Sequence, residues 1–484
     1  MNLEEYASYD ATGLAELVDR REVRVDELAA CAIAGTQAVN ETLNAVVEAF
    51  ADRAESLAAG AEPAVAGGPF AGVPTMLKDL FHGEAGIKCE NGSRLSAGWV
   101  QQSDSAFAQR IRASGLVNLG RTTTSEFGIM GTTETLAAGP TCTPWSASHM
   151  AGGSSGGSAS AVGAGIVPVA SASDGGGSIR IPASACGVVG LKPSRGRITW
   201  GPYAGEALAG WAVHFMVSRT VRDCAGLLDC LAGPTPGDPF VIAPPPRPFA
   251  SEIGAPTGSL RIGWRADPWS GDEPDAEVVA AAAATAGLLG DLGHAVSEAQ
   301  LAVSWEPFLQ AMTDVWAADL AHMIDGFAPV LGRVPGHENL EGTTLSALEY
   351  GRRVSAADLF HAADRVNLLA RVMGAFFGEH DVLLTPTLGR LPAPLGLYDP
   401  TARMELHEVF ATWSPWESFL PVFNAAGLPA ITLPLHESRG GLPIGMQLVG
   451  PFGSESLLLR LAAQLEEALP WAGRRPPIHV ASAG

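Results

Sequence analysis

Apolar and polar positions repeat with helical spacing through the first part of the chain. Leu28, Ala32 and Val39 fall on one face of a stretch from Val25 to Leu57, the 3.6-residue period of an amphipathic helix. Ahead of it, Asp10 or Thr12 can cap a helix from Gly13 to Arg21, because a short polar side chain accepts from the free N–H groups of a first turn. Residues 10–60 therefore read as helices, closed by Gly67-Gly68-Pro69. Next come a loop over Gly86 to Ser93, a short amphipathic helix over Asp104 to Gly115 and a buried strand over Leu116 to Gly120. Arg121 to Met130 reads as strand leading to helix, and Thr141 to Trp145 as a turn. Compact apolar runs predict strands at Ile166–Val169, Val188–Leu191, Leu260–Trp264, Val382–Pro386, Ala430–Leu433 and Ile444–Val449. Helical periods predict helices over Val221 to Leu231, Ala276 to Leu292 and Glu455 to Leu469. Proline-rich Pro234 to Pro256 marks a boundary between subregions. Strands alternating with helices argue for an α/β sheet covered on both faces.

One stretch breaks this rhythm. Gly152 to Lys192 holds two glycine-flanked serines, Ser154 and Ser178, separated by a small-residue run without charge from Ser158 to Ala172. Glycine lets a backbone turn tightly and lets other groups approach it closely. The functional reading is a serine nucleophile under a nest of backbone N–H groups. The bland reading is a serine/glycine linker, but the embedded Val-Gly-Ala-Gly-Ile-Val and Ile-Arg-Ile-Pro segments read as helix and strand.

Composition narrows the partners. The 484 residues carry a formal charge of −21, from 51 acidic and 30 basic residues. Such a balance disfavours nucleic acid and anionic membranes as partners. No apolar run reaches the roughly 18 residues of a membrane span. The N-terminus is acidic and lacks the regions of a signal peptide, so a cytoplasmic location is expected. Six scattered cysteines form no C-x-x-C pair and read as free, mostly buried thiols. No metal cluster is visible and no cofactor is implied. Of the 30 basic residues only Lys78, Lys88 and Lys192 are lysine. Arginine does not give up its proton and cannot act as a general base, so a retained lysine draws notice. Lys78 sits in an apolar segment, where burial would lower its pKa. Two readings stay open on these facts: a proton acceptor, or a snorkelling lysine paired to Asp79. Lys88 reads as a surface lysine and Lys192 as structural.

Gly152 to Gly156 also satisfies G-x-S-x-G, the nucleophile elbow of α/β-hydrolases. That reading requires later Asp and His partners, and His380, His407 and His436 stand in no recognisable motif. It leaves the second serine and Lys78 without a role. No phosphate-binding P-loop or dinucleotide fingerprint occurs.

The ordered segments resemble the amidase signature family of serine hydrolases. The matching pieces are Gly72-Val73-Pro74 with Lys78-Asp79, Arg121 to Phe127, Pro144-Trp145 and the serine/glycine block. They continue through Gly190 to Pro193, Leu384 to Thr387, Asn424 to Pro429 and Gly441 to Gln447. Arg180 to Ser184, Gly196-Arg197-Ile198 and the ending Leu469 to Pro476 are most similar to bacterial hydrolases of hydrophobic amides. The resemblance covers most of residues 10–470 and is thinnest between about 200 and 410.

It implies a single domain over residues 1–484 built on one large mixed β-sheet covered on both faces by helices. Within it lie N-terminal helices to about residue 65, a catalytic core to about 235, a variable pocket region to about 410 and a returning core to 484. It implies Ser178 as nucleophile, Ser154 as the bridging serine behind a cis peptide, and Lys78 as general base. Backbone N–H groups of Gly175, Gly176, Gly177 and Ser178 match the oxyanion hole, and Asp174 and Arg180 the pair bracing that loop. The implied substrate is a hydrophobic aryl or aliphatic amide, linear or cyclic, with carbamates and esters as alternatives because they share the electrophilic carbonyl. A homodimer is the family expectation. A subunit of a glutamine-dependent amidotransferase is the competing reading, which the segment from Tyr350 to Leu369 does not match. Two departures stand out: Gly175 replaces a bulkier residue, and Thr143 replaces an Asn before Pro-Trp. Aromatic residues such as Trp200, Trp211, Trp305, Trp316, Trp413 and Phe419 either line an apolar pocket or pack a core.

Overall fold

The computed structural model describes residues 1–60, 67–81 and 83–482; the expected boundary near residue 65 lies outside them. Eleven strands form one mixed sheet: β1 Val46–Ala49, β2 Pro74–Lys78, β3 Val117–Thr122, β4 Val169–Asp174, β5 Val189–Lys192, β6 Val213–Ser218, β7 Arg261–Trp264, β8 Ala295–Glu298, β9 Val382–Pro386, β10 Ala430–Glu437 and β11 Pro443–Val449. Their spatial order is β1-β3-β2-β4-β6-β5-β10-β11-β9-β7-β8. The three central-left strands β3, β2 and β4 run parallel. The middle of the sheet, from β4 through β9, is antiparallel, and β9, β7 and β8 close the far edge in parallel. Strands from the N-terminal stretch, from residues 66–235, from 236–410 and from the last 74 residues thus enter one sheet. Helices cover both faces, and β2, β4, β5, β6, β9 and β11 are buried along their whole length, as strands sandwiched between two helical layers must be.

Several expected elements form where the pattern puts them. Helices occupy Val221–Leu231, Ala276–Asp291 and Glu455–Ala468. Asp10 caps the helix Ala11–Asp19 by accepting from Gly13 N–H at 2.9 Å.

Two expectations are corrected. The helix expected from Val25 to Leu57 ends at Leu43, and its last turns give way to β1 before a second helix at Ala51–Ala58. Asn44 takes a left-handed conformation (φ 50°) that stops the helix. The Asn40 side chain then accepts from the N–H groups of Ala45 and Val46, at 2.8 Å each, and turns the chain into the sheet. Local hydrogen bonding by an Asn thus outcompetes helical periodicity. The strand expected over Ile166–Val169 begins instead at Val169 and runs to Asp174. Pro168 has no N–H for a ladder, whereas Ala170 to Ser173 are small enough to be buried on both faces. Elements not expected from the pattern include β6, β8 and the helices Trp305–Val330, Gly342–Gly351, Ala356–Glu379 and Leu406–Glu417.

Candidate active site

Strands β2 and β4 are parallel neighbours, with Met76 opposite Ala170. Their C-terminal ends therefore open on the same side of the sheet, the usual place for a site in parallel strands. Lys78 is the last residue of β2 and Asp174 the last of β4. The helix Gly156–Gly163 precedes β4 and the helix Arg180–Cys186 follows it; Ser154 stands in the loop entering the first helix, and Ser178 in the loop between β4 and the second.

Lys78 is buried, and its Nζ lies 2.7 Å from Ser154 Oγ and 2.9 Å from Ser173 Oγ. Its backbone N–H donates to Ser171 Oγ at 2.8 Å. Burial holds the ammonium well below the usual lysine range, against a smaller opposing pull from Asp174. The alternative partner, Asp79, is engaged elsewhere: it accepts from Arg121 at 2.7 Å. Lys88 is surface-exposed and reaches Glu48 at 3.9 Å. Lys192 is buried under the loop and donates to the Pro193 carbonyl at 2.9 Å.

The Gly153–Ser154 peptide is cis. Close packing explains the glycine: a Cβ on Gly153 would lie 2.6 Å from the Met130 carbonyl oxygen. Gly157 is equally constrained, with a notional Cβ 2.4 Å from the Ala45 carbonyl oxygen. The small-residue run is thus the price of threading a helix between β3 and the loop before β1.

The loop Asp174–Ser178 is tied from beneath. Asp174 Oδ2 accepts from Arg180 Nε at 2.8 Å and Oδ1 from its Nη2 at 2.9 Å, with both side chains fully buried. Burial pushes the carboxyl up, but the Arg180 charge and hydrogen bonds, with Lys192 and Asn424 adding to them, outweigh it and hold the pKa at about 2. Gly177 N–H donates to Asp174 Oδ1 at 2.7 Å and Ile179 N–H to Oδ2 at 3.2 Å. The N–H of Gly177, expected among the oxyanion donors, is directed at the Asp174 carboxylate. The N–H groups of Gly175, Gly176 and Ser178 make no hydrogen bond among the described residues.

Residues not singled out in the sequence complete the support. Asn424 Nδ2 donates to the Asp174 carbonyl and to Oδ1, both at 2.9 Å. Gln447 accepts from Arg180 at 2.8 Å and donates to Thr385 at 3.0 Å. All three stand inside segments that carry the family resemblance, which was the available signal. The two departures also find reasons. A Cβ on Gly175 would sit 3.1 Å from the Trp316 ring and 3.0 Å from Leu208, so the indole occupies the room of the bulkier residue. Thr143 Oγ1 donates to the Ala185 carbonyl at 2.6 Å.

Ser178 lies where two hollows meet, enclosing about 450 and 570 Å³ of non-atom space open to solvent. Ser154, Ser173 and Gly175 line the larger, Gly176 the smaller, and Trp316 both. Trp305 faces the smaller and Trp200 the larger. Trp211, Trp413 and Phe419 are core residues instead.

A family model described as Amidase matches residues 27–459. The chain is 39% identical over 481 residues to a 6-aminohexanoate-cyclic-dimer hydrolase of Paenarthrobacter ureafaciens, covering 97% of this chain and 96% of the relative. A solved structure of 6-aminohexanoate cyclic dimer hydrolase superposes with a TM-score of 0.91 at 38% identity, covering 98% of this chain and 99% of that one. A bacterial aryl acylamidase structure superposes with a TM-score of 0.87 at 25% identity, covering 96% and 99%. The chain belongs to the amidase signature family and is a hydrolase acting on amides.

Proposed function

We propose that this enzyme hydrolyses hydrophobic cyclic or aryl amides through an acyl-enzyme formed on Ser178, with Ser154 and Lys78 carrying the proton. The observation that carries the reading is the 2.7 Å contact between Lys78 Nζ and Ser154 Oγ inside a buried site that Ser178 also lines. A serine hydroxyl attacks a carbonyl only when something takes its proton. Burial disfavours the ammonium form of Lys78, so the lysine can accept the Ser154 proton while Ser154 takes that of Ser178. The free N–H groups of Gly175, Gly176 and Ser178 then face the developing oxyanion, each donor contributing about 3 kcal/mol to a transition state of this kind. The proton returns through Ser154 to the departing nitrogen, which does not leave as an anion. Water attacks the ester by the same route. The apolar walls around Trp305, Trp316 and Trp200, and the named activities of the similar proteins, support cyclic and aryl amides as substrates.

The test is turnover of an anilide, a cyclic aliphatic amide, an aryl carbamate and glutamine by the wild type and by Ser178→Ala. Hydrolysis of the anilide or cyclic amide that vanishes in Ser178→Ala is the expected result. Turnover that survives the substitution removes Ser178 from the role of nucleophile. A wild type that acts only on glutamine overturns the substrate assignment.

A further inference from the structure

Two buried polar atoms in the hollow that Ser178 lines have no hydrogen-bond partner among the described residues. Glu417 ends the helix Leu406–Glu417, and its Oε1 accepts no hydrogen bond among the described residues. Trp316 Nε1–H, on the helix Trp305–Val330, likewise donates to nothing among them. Both side chains line the smaller hollow, together with Ser178 and Gly176. Leaving a buried polar group unpaired is costly, and such groups are rare enough that each calls for a reason.

Both groups are held in place by their surroundings. A Cβ on Gly131 would lie 1.6 Å from Glu417 Oε1, so only glycine admits the carboxyl there. The Trp316 ring stands over the Gly175–Gly176 loop, within 3.1 and 3.6 Å of where side chains would begin, and meets Phe410 edge-on with centroids 6.1 Å apart. Burial pushes the Glu417 carboxyl up to about 8. Its place at a helix C-terminus, the negative end of the macrodipole, acts in the same direction. At neutral pH the group is a carboxylic acid, which accepts through its carbonyl oxygen.

An indole N–H that needs an acceptor and a carboxyl oxygen that needs a donor are the complement of one amide group. The scissile amide is served by Ser178 and the loop N–H groups. We propose that Trp316 and Glu417 form a subsite for a second amide of a diamide substrate, Trp316 Nε1–H donating to its carbonyl oxygen and Glu417 Oε1 accepting its N–H. This deepens the amidase reading above and rests on it. It gives the apolar hollow a polar requirement: a purely aliphatic acyl group leaves both atoms unpaired.

The experiment measures binding separately from turnover. Dissociation constants are determined by calorimetry on Ser178→Ala for a cyclic diamide and for its analogue with one amide replaced by two methylenes. Adding Glu417→Leu is expected to lower the preference for the diamide about tenfold, the scale of one lost buried hydrogen bond. Adding Glu417→Gln, which keeps the volume and a carbonyl acceptor, is expected to hold the preference within about threefold. Adding Trp316→Phe is expected to lower it about fivefold. Equal weakening of both ligands by Glu417→Leu, or no weakening of either, overturns the subsite. So does a Glu417→Gln variant that behaves like Glu417→Leu. Turnover of the same two ligands by the Ser178-intact chain is scored independently. Hydrolysis of both with a flat binding preference sinks the subsite and keeps the amidase reading. A moving preference without hydrolysis does the reverse.

Discussion

Replacing Asp174 by Asn tests what braces the loop Asp174–Ser178. The carboxylate accepts two hydrogen bonds from Arg180, one each from Gly177 and Ile179, and one from Asn424. Its pKa of about 2, against 3.8 for an ordinary Asp, corresponds to roughly 2–3 kcal/mol at about 1.36 kcal/mol per unit. The folded pKa lies below the unfolded one, so this stabilisation is present above pH 3.8 and is lost as pH falls through about 2. Substitution costs more than that, because it leaves the Arg180 guanidinium buried without a counter-charge. Breaking one side of a buried pair costs about 3–5 kcal/mol. Removing both partners, in Asp174→Asn with Arg180→Met, abolishes the orphaned charge and is expected to cost less than the two single losses added together. Equilibrium urea unfolding of the four proteins measures the coupling. Asp174→Asn costing under about 1 kcal/mol, against that expectation for a broken buried pair, or strictly additive losses, would refute the argument.

Lys78→Met, which removes the proposed proton acceptor while preserving volume, is expected to lower kcat by about 10²–10⁴-fold with the fold intact by circular dichroism; retained kcat would dismiss the base. Glu126 and Glu341 are buried carboxyls pushed up to about 7 and about 8, chiefly by desolvation. Their folded pKa values lie above the unfolded ones, so the stability they confer is present below pH 4.5 and is lost as pH rises through 7 to 8. Glu126→Gln with Glu341→Gln is expected to flatten the decline in melting temperature between pH 5 and 8, and an unchanged slope would count against it. All six thiols are free, and burial raises those of Cys89 and Cys142 to about 12 and about 11. In the native protein Cys230, the half-buried one, is expected to react first with a disulfide reagent, and simultaneous labelling of all six would contradict the burial.

The strands and helices that were legible from sequence are those whose apolar residues declare themselves locally. Val221–Leu231 and Val382–Pro386 form over the very residues whose pattern predicts them. The strand expected over Ile166–Val169 was misplaced because the true one is built from small residues. Strand β4 is Val-Ala-Ser-Ala-Ser-Asp, and nothing in its pattern separates it from a loop; its identity comes from the ladder with β6 and β2. The site residues were legible for a different reason. Lys78 stood out because lysine is scarce in this chain, and Ser154 and Ser178 because glycine surrounds them. Glu417 and Trp316 come from helices distant in sequence, and only the fold brings them to Ser178. A buried acid without a partner has no signature along a chain rich in surface acids.

The ion pair beneath the loop also bears on the base above it. Asp174 is the one carboxylate that acts to raise the Lys78 pKa. Left alone in a dry interior, it would favour the ammonium form and so work against the proton-accepting role we propose for Lys78. Arg180 offsets that field with an opposite charge held at 2.8–2.9 Å from both carboxylate oxygens, so at Lys78 the pair acts more like a dipole than an anion. The bracing pair and the lysine are therefore one device. If Lys78 is the base we propose, activity is lost as pH falls through its lowered pKa. Arg180→Met leaves the carboxylate uncompensated and is expected to move the acid limb of kcat/KM to higher pH. Asp174→Asn leaves the guanidinium uncompensated and is expected to move it to lower pH. Shifts in the same direction would mean that these residues reach the lysine through loop geometry alone, and opposite shifts that they reach it through charge.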